Sequence, residues 1–345
     1  MRRNRSDGPL NGRTAGRIVA ILLLLSGGPT VCLIAQTVPA DAPQNAGGLF
    51  LLFPVGARAV GMGQSAAALD GSGEAAFWNP SGLATMNNDE FALHSASLVS
   101  GATNALTAFF PRRGIGVLGG AVYLVDYGDQ DVVDSSGTTV ARLAPRNIEL
   151  LASFATDLGG SFVFGVSYKL VEFRVDCSGD CHTVPAGVGV THALDVGGQF
   201  TVGETEALRI GFVVRNIGFP LQVNNRDQAD PLPARLVVGA LYRIDFRPFP
   251  GGDGKQRLDL KVAADVESPW GEVGTPQARV GLDVGYQRLL RLRGGYAFVH
   301  DGLGGPTVGL GVASGSIGVD LAHPFLTGSS LVTANPTYLS FRVTF

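Results

Sequence analysis

From residue 89 to the C-terminus apolar side chains recur at every second position, and that period constrains the local geometry more than any other feature of the chain. In an extended strand successive side chains point to opposite faces. Between Arg257 and Val266, Leu258, Leu260, Val262, Ala264 and Val266 share one face, while Asp259, Lys261, Ala263 and Asp265 share the other. Between Gln277 and Gln287, Ala278, Val280, Leu282, Val284 and Tyr286 alternate with Arg279, Gly281, Asp283, Gly285 and Gln287. Fourteen such segments are predicted, at 89–100, 104–111, 114–127, 146–158, 160–174, 189–200, 206–216, 233–246, 257–267, 277–288, 290–299, 305–313, 315–323 and 337–345. Most are close to the length that a tilted strand needs to cross a bilayer. An even number returns both ends of the wall to the same side.

The connections point the same way. If the first strand starts at the periplasm, the outer connections 128–145, 175–188, 217–232, 268–276 and 324–336 are long. The inner ones at 111–113, 159, 201–205, 289 and 314 are short. Long outer loops over short periplasmic turns mark bacterial outer-membrane barrels. Two connections fit less well: 247–256 is long on the inner side and 300–304 short on the outer. Charged residues make up only 16% of the 345-residue chain, low for a surface in water. Outside the N-terminus no apolar run is long enough for a spanning helix.

The N-terminus carries Arg2, Arg3, Arg5, Arg13 and Arg17, then the apolar stretch Ile18–Leu25, then small residues up to Ala35. This reads as a secretory signal peptide over 1–35, with Gln36 as the mature start. Cys32 raises a lipoprotein site, but Val31 before it is the wrong residue type for that processing. Cleavage removes five arginines and Asp7 and moves the formal net charge from −3 to −7. No basic patch remains for nucleic acid. Cys177 and Cys181 stay in the mature chain, and an even count in an exported protein predicts a disulfide. The alternative is a metal pair with His182, for which no fourth ligand lies nearby.

Apparent catalytic motifs dissolve in context. Gly114-x-Gly116-x-x-Gly119 lies inside an alternating strand, not between a strand and a helix, so it is no dinucleotide fingerprint. The five histidines are scattered, with no paired spacing for zinc. No nucleophile elbow is present. No enzyme activity and no cofactor are expected. The last strand places Leu339, Phe341, Val343 and Phe345 on one face and ends on Phe, resembling the signal by which the barrel-assembly machinery takes up its clients. Tyr242, Tyr286, Tyr296, Phe298, Tyr338 and Phe345 are candidates for interfacial aromatic girdles.

Residues 47–88 do not alternate. Ser65–Asp70 is a candidate for one or two helical turns, and Asn79-Pro80-Ser81-Gly82 is a turn signal. The runs Gly56-Ala57-Arg58-Ala59-Val60-Gly61-Met62-Gly63 and Trp78-Asn79-Pro80-Ser81-Gly82-Leu83 resemble the PorV/PorQ family, which is related to the FadL-type transporters of hydrophobic compounds. The resemblance implies an all-β, 14-stranded antiparallel transmembrane β-barrel with this segment folded inside as a hatch. Position 81 is Ser where those transporters usually have Ala. The domain expectation is a signal peptide over 1–35, an N-terminal extension and plug over 36–88, and a barrel over 89–345.

Fourteen strands enclose more space than side chains alone fill, so an unplugged lumen would leak. The plug motif comprises Gly56, Arg58, Gly61, Gly63, Trp78, Asn79, Pro80 and Gly82. Arg58 is the plug's main cation, with Asp259, Asp265, Asp283 and Asp320 on the lumen face as candidate partners; the alternative is water at the periplasmic mouth. Buried charge needs such pairing. The resemblance also implies a kinked third strand, for which Gly119-Gly120 is the candidate, although paired Gly is unremarkable in a chain with 49 glycines. Two functions remain. One is passage of small hydrophobic compounds, with Leu49, Phe50, Leu51, Leu52, Phe53, Phe77 and Trp78 lining the route or else sealing plug to wall. The other is receipt of secreted cargo proteins at the outer loops, as in type IX secretion. Expected partners are outer-membrane lipid, the assembly machinery, and either a hydrophobic small molecule or a cargo protein.

Overall fold

A computed structural model gives the fold. It describes residues 47–97, 101–182, 187–203, 205–223, 229–246, 258–270, 275–287, 289–299, 304–325 and 335–345. The signal-peptide reading of 1–35 and the extension at 36–46 lie outside the described residues.

The strands are β1 (Glu90–Ser97), β2 (Ala102–Arg112), β3 (Gly116–Asp126), β4 (Gln130–Val133), β5 (Thr139–Gly159), β6 (Phe162–Gly179), β7 (Gly187–Val202), β8 (Leu208–Gly218), β9 (Arg235–Phe246), β10 (Leu258–Pro269), β11 (Gln277–Tyr286), β12 (Leu290–Phe298), β13 (Gly305–Ser314), β14 (Ile317–Pro324) and β15 (Tyr338–Thr344). Every pairing is antiparallel between neighbours, except that β3 pairs directly with β5 from Val117↔Ala155 to Asp126↔Arg146. β4 therefore stands outside the wall, and fourteen strands make it. The first and last strands close it, from Glu90↔Thr344 to Ala96↔Tyr338. Closure leaves no bare backbone edge for lipid to meet.

The alternation has the sense that membrane insertion demands. On β10, Lys261, Ala263, Asp265 and Glu267 are buried in the lumen, while Val262 and Val266 are exposed on the outside. On β11, Arg279 and Asp283 are buried and Val280, Leu282 and Tyr286 exposed. A protein in water would present the reverse. Leu339, Phe341 and Phe345 face outward and Val343 is half-buried. Phe345 meets Phe91 edge-on with ring centroids 6.0 Å apart. Of the girdle candidates, Tyr338 departs: it is buried on the lumen face with Ala57, Val60, Ala96 and Ala322.

Two expectations change. The connections at 128–145 and 175–188 are not plain loops. β5 and β6 run well beyond the wall, and with β4 they form a three-stranded extension above the long-loop end. Thr139, Val140 and Arg142 are exposed, Leu143, Ala144 and Pro145 only half-buried and Ala141 alone buried, so apolar alternation lapses although the strands continue. Ion pairs replace it, including Arg142–Asp131 at 3.0 Å and Arg146–Asp126 at 3.2 Å. The structure joins Cys177 to Cys181 at the tip of this extension, with Cα atoms 6.1 Å apart. Second, β3 is not interrupted at Gly119-Gly120: its register with β2 and β5 runs through both without a shift. Gly119 instead leaves room for the Phe109 ring, whose Cδ1 would lie 2.5 Å from an added Cβ.

Candidate functional site

Residues 47–88 fold inside the lumen as a chain of short turns. They are a 3-10 turn at Leu49–Leu52, helix α1 at Ala57–Gly61, and 3-10 segments at Gly73–Phe77 and Pro80–Thr85. Left-handed glycines divide the segments, with φ +93° at Gly56, +64° at Gly63 and +64° at Gly71. Positive φ is costly for residues with a Cβ. The helical turns expected at Ser65–Asp70 lie instead at Ala57–Gly61. At the expected position the N–H groups of Ala66 and Ala67 donate to Asp265 Oδ2 at 2.6 and 2.8 Å, and the Ala67 oxygen accepts from Asn79 Nδ2 at 2.7 Å.

The plug touches the wall at backbone distance. A Cβ on Gly165 would sit 2.3 Å from the Pro80 carbonyl carbon, on Gly211 2.0 Å from the Ala67 oxygen, and on Gly281 2.3 Å from the Met62 oxygen. From the plug side, a Cβ on Gly63 would lie 2.5 Å from the Val280 oxygen, and one on Gly61 3.1 Å from Gly309 Cα. Polar wall side chains complete the seat. Ser340 Oγ accepts from Ala57 N at 2.9 Å, Thr307 Oγ1 accepts from Gly63 N at 3.0 Å, and Gln199 Nε2 donates to the Leu69 oxygen at 2.9 Å.

Asn79 and Pro80 work as a helix start and a strap. Asn79 caps the segment that follows, accepting from Ser81 N at 3.2 Å and from Ser81 Oγ at 2.7 Å, with Pro80 at the first position where no N–H is needed. Its Nδ2 donates to the Ala67 oxygen at 2.7 Å and reaches the Phe212 oxygen on β8 at 3.3 Å. Gly197 leaves space for this amide, since a Cβ there would stand 2.1 Å from Asn79 Oδ1. Gly82 packs under the Leu69 oxygen. The Ser81 hydroxyl completes the cap.

Arg58 pairs neither with the wall aspartates nor with bulk water. Its partner is Asp70 of the plug, with Nη2 3.0 Å from Oδ1 and Nη1 donating to the Asp70 carbonyl at 2.6 Å. The wall supplies cations to the same carboxylate: Lys261 at 3.0 Å, Arg243 at 2.5 Å and Arg209 at 3.5 Å. Burial alone would raise the Asp70 carboxyl, but Lys261, Arg58 and Arg209 outweigh it and hold it well below the usual carboxylate range. The four aspartates expected for Arg58 have other work. Asp265 binds plug amides, Asp259 pairs with Arg291 at 2.6 Å, and Arg293 sits between Asp283 at 3.2 Å and Asp320 at 2.6 Å. Glu74 is buried beneath Gly56, and burial lifts its carboxyl to about 7 against the opposing pull of Arg58.

The aromatic candidates fill space. Phe50, Phe77 and Trp78 are buried, and Phe53 packs at the edge of the same cluster. Tyr123 of β3 lies between Phe50, with centroids 6.3 Å apart, and Phe77 at 5.9 Å. Phe53 meets Tyr127. Trp78 donates to the Val55 oxygen at 2.8 Å, and Arg215 lies over its ring at 5.4 Å while paired with Glu267 at 2.9 Å. Leu221 and Leu232, on the β8–β9 connection, join this cluster at the long-loop end, where Gly47 N donates to the Pro231 oxygen at 3.0 Å. These residues thus pack plug against wall. Tyr123, Tyr127, Gln199, Arg215, Thr307 and Ser340 were not singled out in sequence. Their only signal was membership of the inward phase.

No protein-family profile and no curated protein matches the chain. Solved structures do match its fold. The toluene transporter TbuX of Ralstonia pickettii is 14% identical and superposes with a TM-score of 0.53 over 84% of this chain and 98% of its own. The P. putida toluene transporter TodX is 12% identical, with a TM-score of 0.56 over 84% and 98%. The monoaromatic hydrocarbon channel CymD is 15% identical, with a TM-score of 0.52 over 84% and 97%. At these identities the likeness is one of fold.

Proposed function

We propose that the protein stands in the bacterial outer membrane as a FadL-like channel that passes small hydrophobic compounds, and that the structure is its plugged form. The observation that carries this reading is the apolar seam between plug and wall at Phe50, Phe77, Trp78 and Tyr123, inside a barrel whose fold is shared with toluene transporters. Among the described residues this seam is an apolar stretch of the plug–wall boundary in a lumen that elsewhere carries many charged side chains. A ligand site of this kind combines aromatic walls with a few polar groups, and here Arg215 and the Tyr123 hydroxyl stand beside the rings. The plug motif's resemblance to PorV/PorQ proteins fits the same architecture.

The test is uptake of labelled toluene by intact Gram-negative cells lacking their own transporters. A plain liposome is unsuitable, because apolar solutes cross a bare bilayer and lipopolysaccharide is the barrier at issue. Expression should raise uptake severalfold, and a Cys pair locking the plug to β13 should remove the gain until reductant is added. Uptake equal to that of vector-only cells ends the proposal.

One observation favours the cargo-receiving reading as a second proposal. The β4–β5–β6 extension presents a braced, solvated sheet above the long-loop end. Loss of a secreted protein from the cell surface on deleting 128–145, from a protein that gives no toluene uptake, would establish that reading instead.

A further inference from the structure

At the short-turn end the plug and wall leave a cavity of about 590 Å³ with a marked excess of positive charge, seven basic side chains against four acidic. The excess is concentrated at one point. Arg58, Arg209, Arg243 and Lys261 all lie within 3.5 Å of the single Asp70 carboxylate. Arg58 is also faced by Glu74 and Asp283, so Arg209, Arg243 and Lys261 share the Asp70 carboxylate as their one close ion-pair partner among the described residues. The other acids of the cavity are already engaged: Asp283 and Asp320 bind Arg291 and Arg293 at 2.6–3.3 Å, and Glu90 accepts from the plug at Gly73 N. Glu206 is exposed on the turn before Arg209. Arg209 Nη1 is moreover buried without a hydrogen-bond partner. Buried cations without counter-charge are costly, and an orphaned buried donor forfeits its solvation.

We propose that this vestibule binds a small multiply charged oxyanion of the phosphate class, held among Arg209, Arg243 and Lys261 beside Asp70. Guanidinium groups match the fork geometry of oxyanions. A tetrahedral anion takes bonds from three sides at once, which suits cations that arrive from β8, β9 and β10. Neither toluene nor any neutral solute would use such a site, so the inference is independent of the transport reading. The phosphate group can belong to free inorganic phosphate or to a lipid headgroup, and the experiment separates the two.

Labelled inorganic phosphate is equilibrated by dialysis with the full-length protein folded in detergent, with ionic strength held constant by chloride. Saturable binding near one phosphate per chain is expected. Arg209→Gln with Arg243→Gln should weaken it at least tenfold. Asp70→Asn should tighten it severalfold, because it removes the carboxylate that competes for the same cations. A merely structural role for Asp70 would weaken binding or leave it unchanged. Where the double variant fails the heat-modifiability check for a folded barrel, single Arg209→Gln carries the comparison. Phosphatidic acid in the micelles that displaces the label identifies a headgroup as a ligand; failure to displace it identifies the free anion. Non-saturable uptake, or Arg209→Gln binding as tightly as the parent protein, overturns the proposal.

Discussion

The Asp265 carboxylate of β10 holds the plug at Ala67, accepting its N–H at 2.8 Å and taking the neighbouring Ala66 N–H with the same oxygen. Hydrogen bonds to a charged acceptor are each worth roughly 1.5–3 kcal/mol. Asp265→Ala should therefore free the 64–68 stretch locally while the barrel remains closed. Hydrogen exchange followed by mass spectrometry should show faster exchange in the plug peptides and none in β10–β12. Uniform loss of protection would mean that Asp265 supports the wall instead.

Wall glycines make a sharper test of the seat. Gly211→Ala would drive a methyl group to 2.0 Å from the Ala67 oxygen, whereas Gly294→Ala meets only the Thr307 oxygen at 3.9 Å. In planar bilayers the first substitution should convert a silent protein into an ion-conducting one and the second should not. Equal conductance from both would show that plug contact does not close the lumen.

Plug stability should fall as pH rises through the weakly acidic range. The Glu74 carboxyl sits at about 7 in the folded protein because burial opposes its charge, against an unfolded value of 4.5. The folded state thus binds more protons than the unfolded state between those values, and stability declines across that window. Below 4.5 the effect is fully relieved; above 7 the loss is complete. Asp70 acts in the opposite sense, but only at the far acid side, because its cations keep it ionised. Proteolysis of the plug at pH 5 and pH 8 should differ, and Glu74→Gln should remove most of the difference.

Removing the Cys177–Cys181 link should leave the barrel intact. The sulfurs close a ring of only four residues' separation, so the loop-entropy gain is about 2 kcal/mol at most, and it is spent on the extension. Double substitution by Ser should speed exchange in 174–182 and leave heat-modifiable gel mobility unchanged. A shift in that mobility would mean that the tip couples to the wall.

The wall was legible because lipid and lumen impose opposite demands on successive residues. Val262 and Asp265 announce their faces without any knowledge of partners. The turn within the plug was legible from Asn79 and Pro80, whose cap and first-position demands are local. The plug's contacts were not. Arg58 has four plausible wall partners by charge alone, and only the chain path puts Asp70 nearer than any of them. The extension at β4–β6 was hidden because strands with few buried side chains, such as Thr139–Pro145 where Ala141 alone is buried, lose the alternation that betrays them. The glycines that seat the plug, Gly165 and Gly211 among them, could not be told from the many others, since a close approach is a property of two distant segments.

The plug enters beside Pro231 at the long-loop end with Gly47 and leaves at Glu90, where the first strand starts at the opposite end. A rod lying across a hoop is captured when the hoop shuts, and here the clasp is the meeting of β1 with β15. Glu90 both holds the plug at Gly73 and opens the pairing with Thr344, so seating of the plug and closing of the seam share one strand. A variant slow to settle its plug would then stall with an open seam, visible as a trapped, incompletely joined species on the insertion machinery.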